Sequence, residues 1–553
     1  MKNIGKTLFL ALLLLPWSAA VMAQGTGGQV TGNVQFDGQF TRADSVIGAT
    51  QAPERWLMNA RADILYTNGG FNAGLRFESY LPPLPGFNTQ YKGYGIANYF
   101  VKYANDLLDV TAGTFYEQFG NGLILRAYED RYIGIDNALL GLSFRLRPYR
   151  GIQLKGLGGV QRNYWSYGGG LVRGVDAEVD VNSLFKSLDE KPLRLSLGAG
   201  FVSRYEEAEN IAAATPGYSL LLPLNVGAGS LRADVRYKGW LLAAEYARKG
   251  QDPNAMNGYI YRKGEALLLN AAYSQKGFST SVQAKRVDNM AFKSVRSSTG
   301  EMLYINYIPA ITKQHTYAFL CMYPYATQAT GEMGLQADVM YKIKKETLLG
   351  GKYGTDIHFN CSMITGLVTS PIGGAGTDGY TSQFFATGEH YYTDLSLEVA
   401  KKLSSRHKAV CTYGYVVFNP TIEGHAGPQH HNHVLVADYT WRVATGKTLR
   451  FEGEWMGSDS HYDVEVDDKR AGDWLMALAE YSFGGHYFVS LSDQYCYRDG
   501  VGNYYTAAFG YTHDATRIQL SYGKQREGIL CIGGVCRAVP ATNGLTLGIT
   551  TSF

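Results

Sequence analysis

Four histidines within nine residues, HAGPQHHNH, form the densest metal-ligating signal in this 553-residue chain. Neutral imidazoles of His425, His430, His431 and His433 could hold zinc or copper, and His431 and His433 share a face where a strand begins. On the following loop, Asp463, Glu465, Asp467 and Asp468 offer the oxygen ligands that a hard cation such as calcium takes. Neither group has a recognised ligand spacing, so solvated loops are the simpler reading. No cofactor is expected beyond a loop-bound divalent metal. Cys531 and Cys536, in CIGGVC, are spaced to bridge a small external loop in an exported chain, whereas Cys321, Cys361, Cys411 and Cys496 cannot be paired from sequence. A G-x-S-x-G nucleophile elbow and a phosphate loop are both missing, and GGAGTDG (Gly373–Gly379) lacks the lysine that would reach phosphates. An enzyme is not expected.

A different chemistry is concentrated in GTFYEQFGNGLILRAYEDRYIGID, from Gly113 to Asp136. Acids and arginines alternate there with leucines, tyrosines and glycines. In water its apolar residues would be uncovered, and in lipid its charges would be costly. Folding into the lumen of a barrel resolves both, because irregular backbone is tolerated inside protein. Glu117, Arg126, Glu129, Asp130, Arg131 and Asp136 are therefore the expected constriction, within a lumenal loop spanning 113–137.

The elements that would position such a loop are strands. LTLGITTSF at the C-terminus alternates apolar and small polar residues and ends on Phe553, like the terminal signal of bacterial outer-membrane barrels. Leu75 and Phe77 alternate with Arg76 and Glu78; Leu142, Phe144 and Leu146 with Arg145 and Arg147; Leu449, Phe451 and Trp455 with Arg450, Glu452 and Glu454. The charged positions, with Lys155, are expected to face the lumen. Short links at 68–70, 105–106, 148–151, 275–277, 404–405, 444–447, 484–485 and 514–515 interleave with long connections at 41–54, 81–92, 205–228, 288–331, 359–389, 418–431, 458–472 and 527–541. That register predicts an all-β, transmembrane antiparallel barrel of 24 strands, with 22 as the rival count. The longest connection, 288–331, carries Pro309 and Pro324 and reads as a second lumenal insertion or an external cap.

Residues 1–23 have the basic start, short apolar core and small-residue site of a removable secretory signal, which leaves a barrel over 24–553. Glycine supplies 66 residues, well above a typical share of about 7%, as crowded barrel positions require. A net charge of +3, partly from Lys2 and Lys6, leaves no nucleic-acid footprint.

Three stretches, FYEQFGNGLILRAYEDRYIGIDNALLG, YIPAITKQHTYAFLCMYPYATQATGE and GDWLMALAEY, resemble an uncharacterised family of outer-membrane β-barrels from Bacteroidota. The resemblance implies a barrel in the outer membrane, contacting its lipid, and leaves function open. By analogy it also admits surface lipoproteins or secretion machinery as partners. Two functions are carried forward: a porin-like passive channel for hydrophilic solutes, narrowed by the inward loop, and a docking barrel in an export or assembly machine.

Overall fold

Sequence neighbours in a strand point to opposite faces, so a sheet between lipid and lumen needs a side-chain period of two. The computed structural model describes residues 27–213, 216–373, 377–425, 427–459, 470–498, 502–532 and 535–553, with backbone alone at 530–532 and 535. The signal region, residues 374–376 of GGAGTDG, and Asp463, Glu465, Asp467 and Asp468 lie outside the described residues.

Among the described residues, twenty-four strands join in one antiparallel sheet, so 24 is the correct count and 22 is not. The first, Gln29–Arg42, pairs along most of its length with the last, Thr542–Ser552, and this pairing closes the barrel and removes its edges. In Trp474–Phe483, Leu475 is exposed on the outside while Trp474 and Met476 are buried inside. In Phe71–Tyr80, Leu75 faces out while Arg76 and Glu78 are buried inside. Exposed aromatic residues ring the short-turn rim. Trp240 packs 4.7 Å from Tyr273, and Tyr487 packs 5.4 Å from Phe483 and 5.0 Å from Tyr511. Amphipathic rings of this kind suit a membrane–water boundary.

Connections sort onto two rims. Links such as 69–70, 276–277, 445–446 and 484–486 lie on one, and 43–55, 81–92, 206–224 and 526–541 on the other. Three departures from the sequence reading stand out. The expected loop 359–389 is mostly strand: Thr355–Pro371 and Tyr380–Lys402 form a long hairpin with register shifts beyond Ile364. On the short-turn rim, the helical turns Val181–Leu184 and Lys186–Asp189 join two strands, the first capped by the Asp180 carboxylate. On the long-loop rim, Tyr164 and Trp165 alone join Ile152–Asn163 to Ser166–Asp180.

Candidate functional site

Two of the long connections, 116–138 and 289–330, turn into the barrel. The first contains two small hairpins, Gln118–Phe119 with Leu125–Arg126 and Glu129–Asp130 with Ile135–Asp136. Gly120 makes the first turn at φ +52°, and a Cβ there would lie 2.6 Å from the Glu245 carboxylate. That crowding exists because Glu245 accepts from the backbone and side-chain N–H of Asn121 at 2.7 and 2.8 Å. Phe119, Leu123, Ile124 and Leu125 are buried against inward wall residues including Val172 and Val202.

The second insertion divides its apolar residues between two cores. Met290, Phe292, Ile305 and Ile308 complete the core started by the first insertion. Ile311, Phe319, Leu320, Met322, Tyr323 and Tyr325 pack instead against the opposite wall, where Phe418, Val434, Val436 and Trp474 point inward. The insertions are also joined by backbone: Arg126 N–H donates to Ile305 O at 2.8 Å and Tyr307 N–H to Gly122 O at 2.9 Å. Buried charge fastens this insertion to the wall. Lys249 donates to Ala291 O at 2.5 Å and meets Asp252 at 3.1 Å; His315 meets Asp394 at 2.6 Å; Glu454 accepts from Ala318 and Phe319 N–H at 2.8 and 2.9 Å. At Gly170 the approach is so close that a Cβ would stand 1.7 Å from Ser294 O.

Lys293, on the second insertion, is fully buried. Its ammonium donates to Gly300 O and Met302 O at 2.5 and 2.9 Å and lies 4.3 Å from the Tyr304 ring centre. Burial pushes its pKa down from 10.5 to about 8. Between those values the unfolded chain holds a proton that the folded one has lost, so stability rises with pH across that window. Denaturant unfolding should show the insertion firmer at pH 9.5 than at pH 7.5 by at most about 3 kcal/mol, and Lys293→Met should flatten the difference. Identical slopes in both proteins would refute this account of Lys293.

Between the first insertion and the wall lies a network of ion pairs. Arg162 meets Glu78 at 2.7 Å and Asp136 at 2.6 Å, with all three side chains nearly inaccessible. Arg76 reaches Asp63 at 2.8 Å, Glu129 at 3.3 Å, Asp136 at 3.4 Å and Glu78 at 3.7 Å. Arg61 pairs with Asp63 at 2.6 Å and with Glu129. Oxygens of Glu78, Glu129 and Asp136 approach one another within 4.8 Å, a spacing a cation could use. The Arg76 guanidinium contacts all three and supplies that positive charge itself.

The residues singled out from sequence are distributed as follows. Asp136, Glu129, Arg76 and Glu78 belong to the network. Glu117 leaves it for the wall, meeting Arg145 and Lys155 at 3.3 Å each, and Lys155 also donates to Gln118 O. Arg126 lies over the rings of Tyr128 and Tyr307, 4.7 and 4.0 Å from their centres. Asp130 accepts from Tyr132 and Ile133 N–H, and Arg131, 40% exposed, reaches Glu129 at 3.5 Å. Arg147 pairs with Asp109 at 3.1 Å, and Arg450 with Asp438 at 2.8 Å and with Glu452.

The four histidines do not converge. The strand His430–Ala444 sends His430 inward against Tyr323 and turns His431 and His433 outward, where Tyr415 and Tyr413 hydroxyls bond them at 2.8 and 2.9 Å. His425 is exposed on the preceding loop. The four histidines therefore do not form a shared ligand set, in keeping with the simpler reading of a solvated loop and strand end. Cys531 faces Cys536 in the hairpin register and Cys536 is disulfide-bonded, though the Cys531 side chain lies outside the described residues. Cys321, Cys361 and Cys411 carry free thiols, and Cys496 is buried in the second core. Arg61, Asp63 and Arg162 escaped the sequence reading, although the period-two face shared with Arg76 marks the first two.

Among the spaces that remain, three differ in their linings. A vestibule of about 660 Å³ opens at the short-turn rim, lined by Arg147, Gln153, Glu178, Arg232 and Asp234. A polar cavity of about 380 Å³ lies beside the seam between first and last strands, lined by Gln39 of the first, Thr546 of the last, and Ser492, Thr506, Ser521, Lys524, Arg526 and Glu527 from the strands and loop that precede the last. A third, of about 290 Å³, lies beside the ion-pair network at the long-loop rim, and Thr546 lines it too.

These features define a large outer-membrane-type β-barrel whose long-loop half is occupied by its own chain. The chain belongs to the family of unknown function DUF6029, whose model matches residues 1–553. No curated protein matches it. Among solved structures it is similar to the siderophore receptor PirA from Pseudomonas aeruginosa, at 9% identity and a TM-score of 0.42, over 95% of this chain and 80% of that one. It is also similar to the P pilus usher PapC translocation pore, at 10% identity and a TM-score of 0.41, over 94% and 99% of the two chains. For Pseudomonas aeruginosa OpdQ the values are 9%, 0.30, 95% and 97%. These likenesses concern the barrel fold and nothing finer.

Proposed function

We propose that the protein resides in the outer membrane, long loops outward, and passes small hydrophilic solutes along the seam between its first and last strands, with no catalytic role. The observation that carries this reading is the polar lining of the seam. Where the insertions press on the wall, the inner face is apolar or ion-paired; along the seam it presents Gln39, Ser492, Thr506, Ser521 and Thr546 around open space. Hydroxyls and carboxamides make up most of that lining, and its charged residues, Lys524, Arg526 and Glu527, are of both signs.

The purified barrel in a planar bilayer should show small, steady conductance steps, and Ser521→Trp, which fills the seam cavity, should reduce them severalfold. Silence from the folded parent protein would sink this reading. A second reading, a docking barrel for lipoproteins or exported polypeptides, draws support from the two apolar cores that occupy the lumen. It requires stoichiometric partners that survive gentle detergent extraction.

A further inference from the structure

The cavity of about 290 Å³ at the long-loop rim has a composition unlike the seam. One side is aromatic: the Tyr80 ring centre stands 4.9 Å from that of Tyr91 and 6.4 Å from that of Phe87. Above Phe87, 4.1 Å from its ring centre, sits the guanidinium of Arg537, carried in by the hairpin Gly528–Ile532 with Val535–Val539. Its Nε and Nη1 are shut off from the surface and have no hydrogen-bond partner. Asp130, the acid that acts on Arg537, already accepts from two backbone N–H groups of its own turn. Desolvation holds the Arg537 pKa below its ordinary value, the mark of a cation short of a counter-charge. Two guanidinium nitrogens held out of water without a partner are costly, so an anion entering this cavity would relieve a cost already present in the fold. The remaining wall carries Glu78, Glu129 and Asp136, already paired with Arg61, Arg131 and Arg162, together with Gln35, Asp37 and Asn59, which an all-apolar ring would desolvate without return.

We propose that this cavity binds a small ring-shaped acid of the uronic-acid class. Its carboxylate meets Arg537, whose planar guanidinium suits a two-oxygen anion. One ring face lies on Tyr80, Phe87 and Tyr91, and its hydroxyls bond to Asp37 and Asn59. The assignment rests on this cavity alone and stands whether or not the barrel conducts.

Titration calorimetry on the folded, detergent-purified barrel with glucuronate, glucose and benzoate tests it. Glucuronate should bind saturably, with glucose and benzoate weaker by about tenfold or more, the worth of one charge-assisted hydrogen bond. Arg537→Gln should weaken glucuronate by a similar factor, and so should Phe87→Ala, which removes the platform and keeps the charge. Heat-modifiable gel migration certifies that each variant is folded. Absence of saturable glucuronate binding, benzoate binding as tightly as glucuronate, or indifference to both substitutions would overturn the proposal.

Discussion

Excising residues 118–136 and 291–328 together, each replaced by a short Gly-Ser link, should raise single-channel conductance by about an order of magnitude, since barrels of 16–18 strands already leave an aqueous channel. Both necks are narrow enough to bridge: Phe115 pairs with Leu139, and Met290 N–H donates to Ala329 O at 2.8 Å. Removing the first insertion alone is a worse experiment. It would strip the cover from Met290, Phe292, Ile305 and Ile308, which share its core. The single deletion should give noisy, unstable currents, and the double deletion a steady large one. A folded double deletion that conducts no better than the parent would show that something other than these segments blocks the lumen.

The second large effect concerns Arg162. Replacing it with methionine keeps the bulk but leaves Glu78 and Asp136, both buried, short of their closest cation. Breaking a buried pair from one side costs about 3–5 kcal/mol, because the remaining charge is neither solvated nor paired. Arg76 still reaches both acids, at 3.7 and 3.4 Å, and keeps the loss within that range. Guanidinium unfolding in detergent micelles should register the drop, and the triple change Arg162→Met, Glu78→Gln, Asp136→Asn should recover part of it. A parent-like midpoint for Arg162→Met would mean that water reaches these acids.

Strand number and closure were legible because an apolar outer face enforces a period of two and because turns and loops alternate between rims. The hairpin Thr355–Lys402 was misread in its outer half for the same reason. In a membrane-spanning barrel TSQFFATGEH would lie beyond the lipid, so nothing would require apolar alternation there. The filled lumen left a trace that alternation alone does not use. Near the second core, strands carry apolar residues on both faces, as in YVVF (Tyr415–Phe418), VLVA (Val434–Ala437) and WLMALA (Trp474–Ala479). Such runs belong to strands buried on both sides. Which charges meet was not legible. Arg162 and Glu78 lie on strands that are not neighbours, and their encounter depends on how the first insertion folds between them.

The division of the second insertion between two walls has a consequence for the order of assembly. Its residues 311–325 belong with strands reaching from Ile364 to Cys496, most of the C-terminal third of the chain. Until those strands stand in place, Phe319, Leu320, Met322 and Tyr323 have no surface to bury against. Before then they are a sticky segment of an unfinished protein, vulnerable to aggregation in the way of any late-forming, long-range contact. The barrel must therefore be stocked as it is built. A closed wall would leave this segment outside, while an open, growing one lets it settle as each strand arrives.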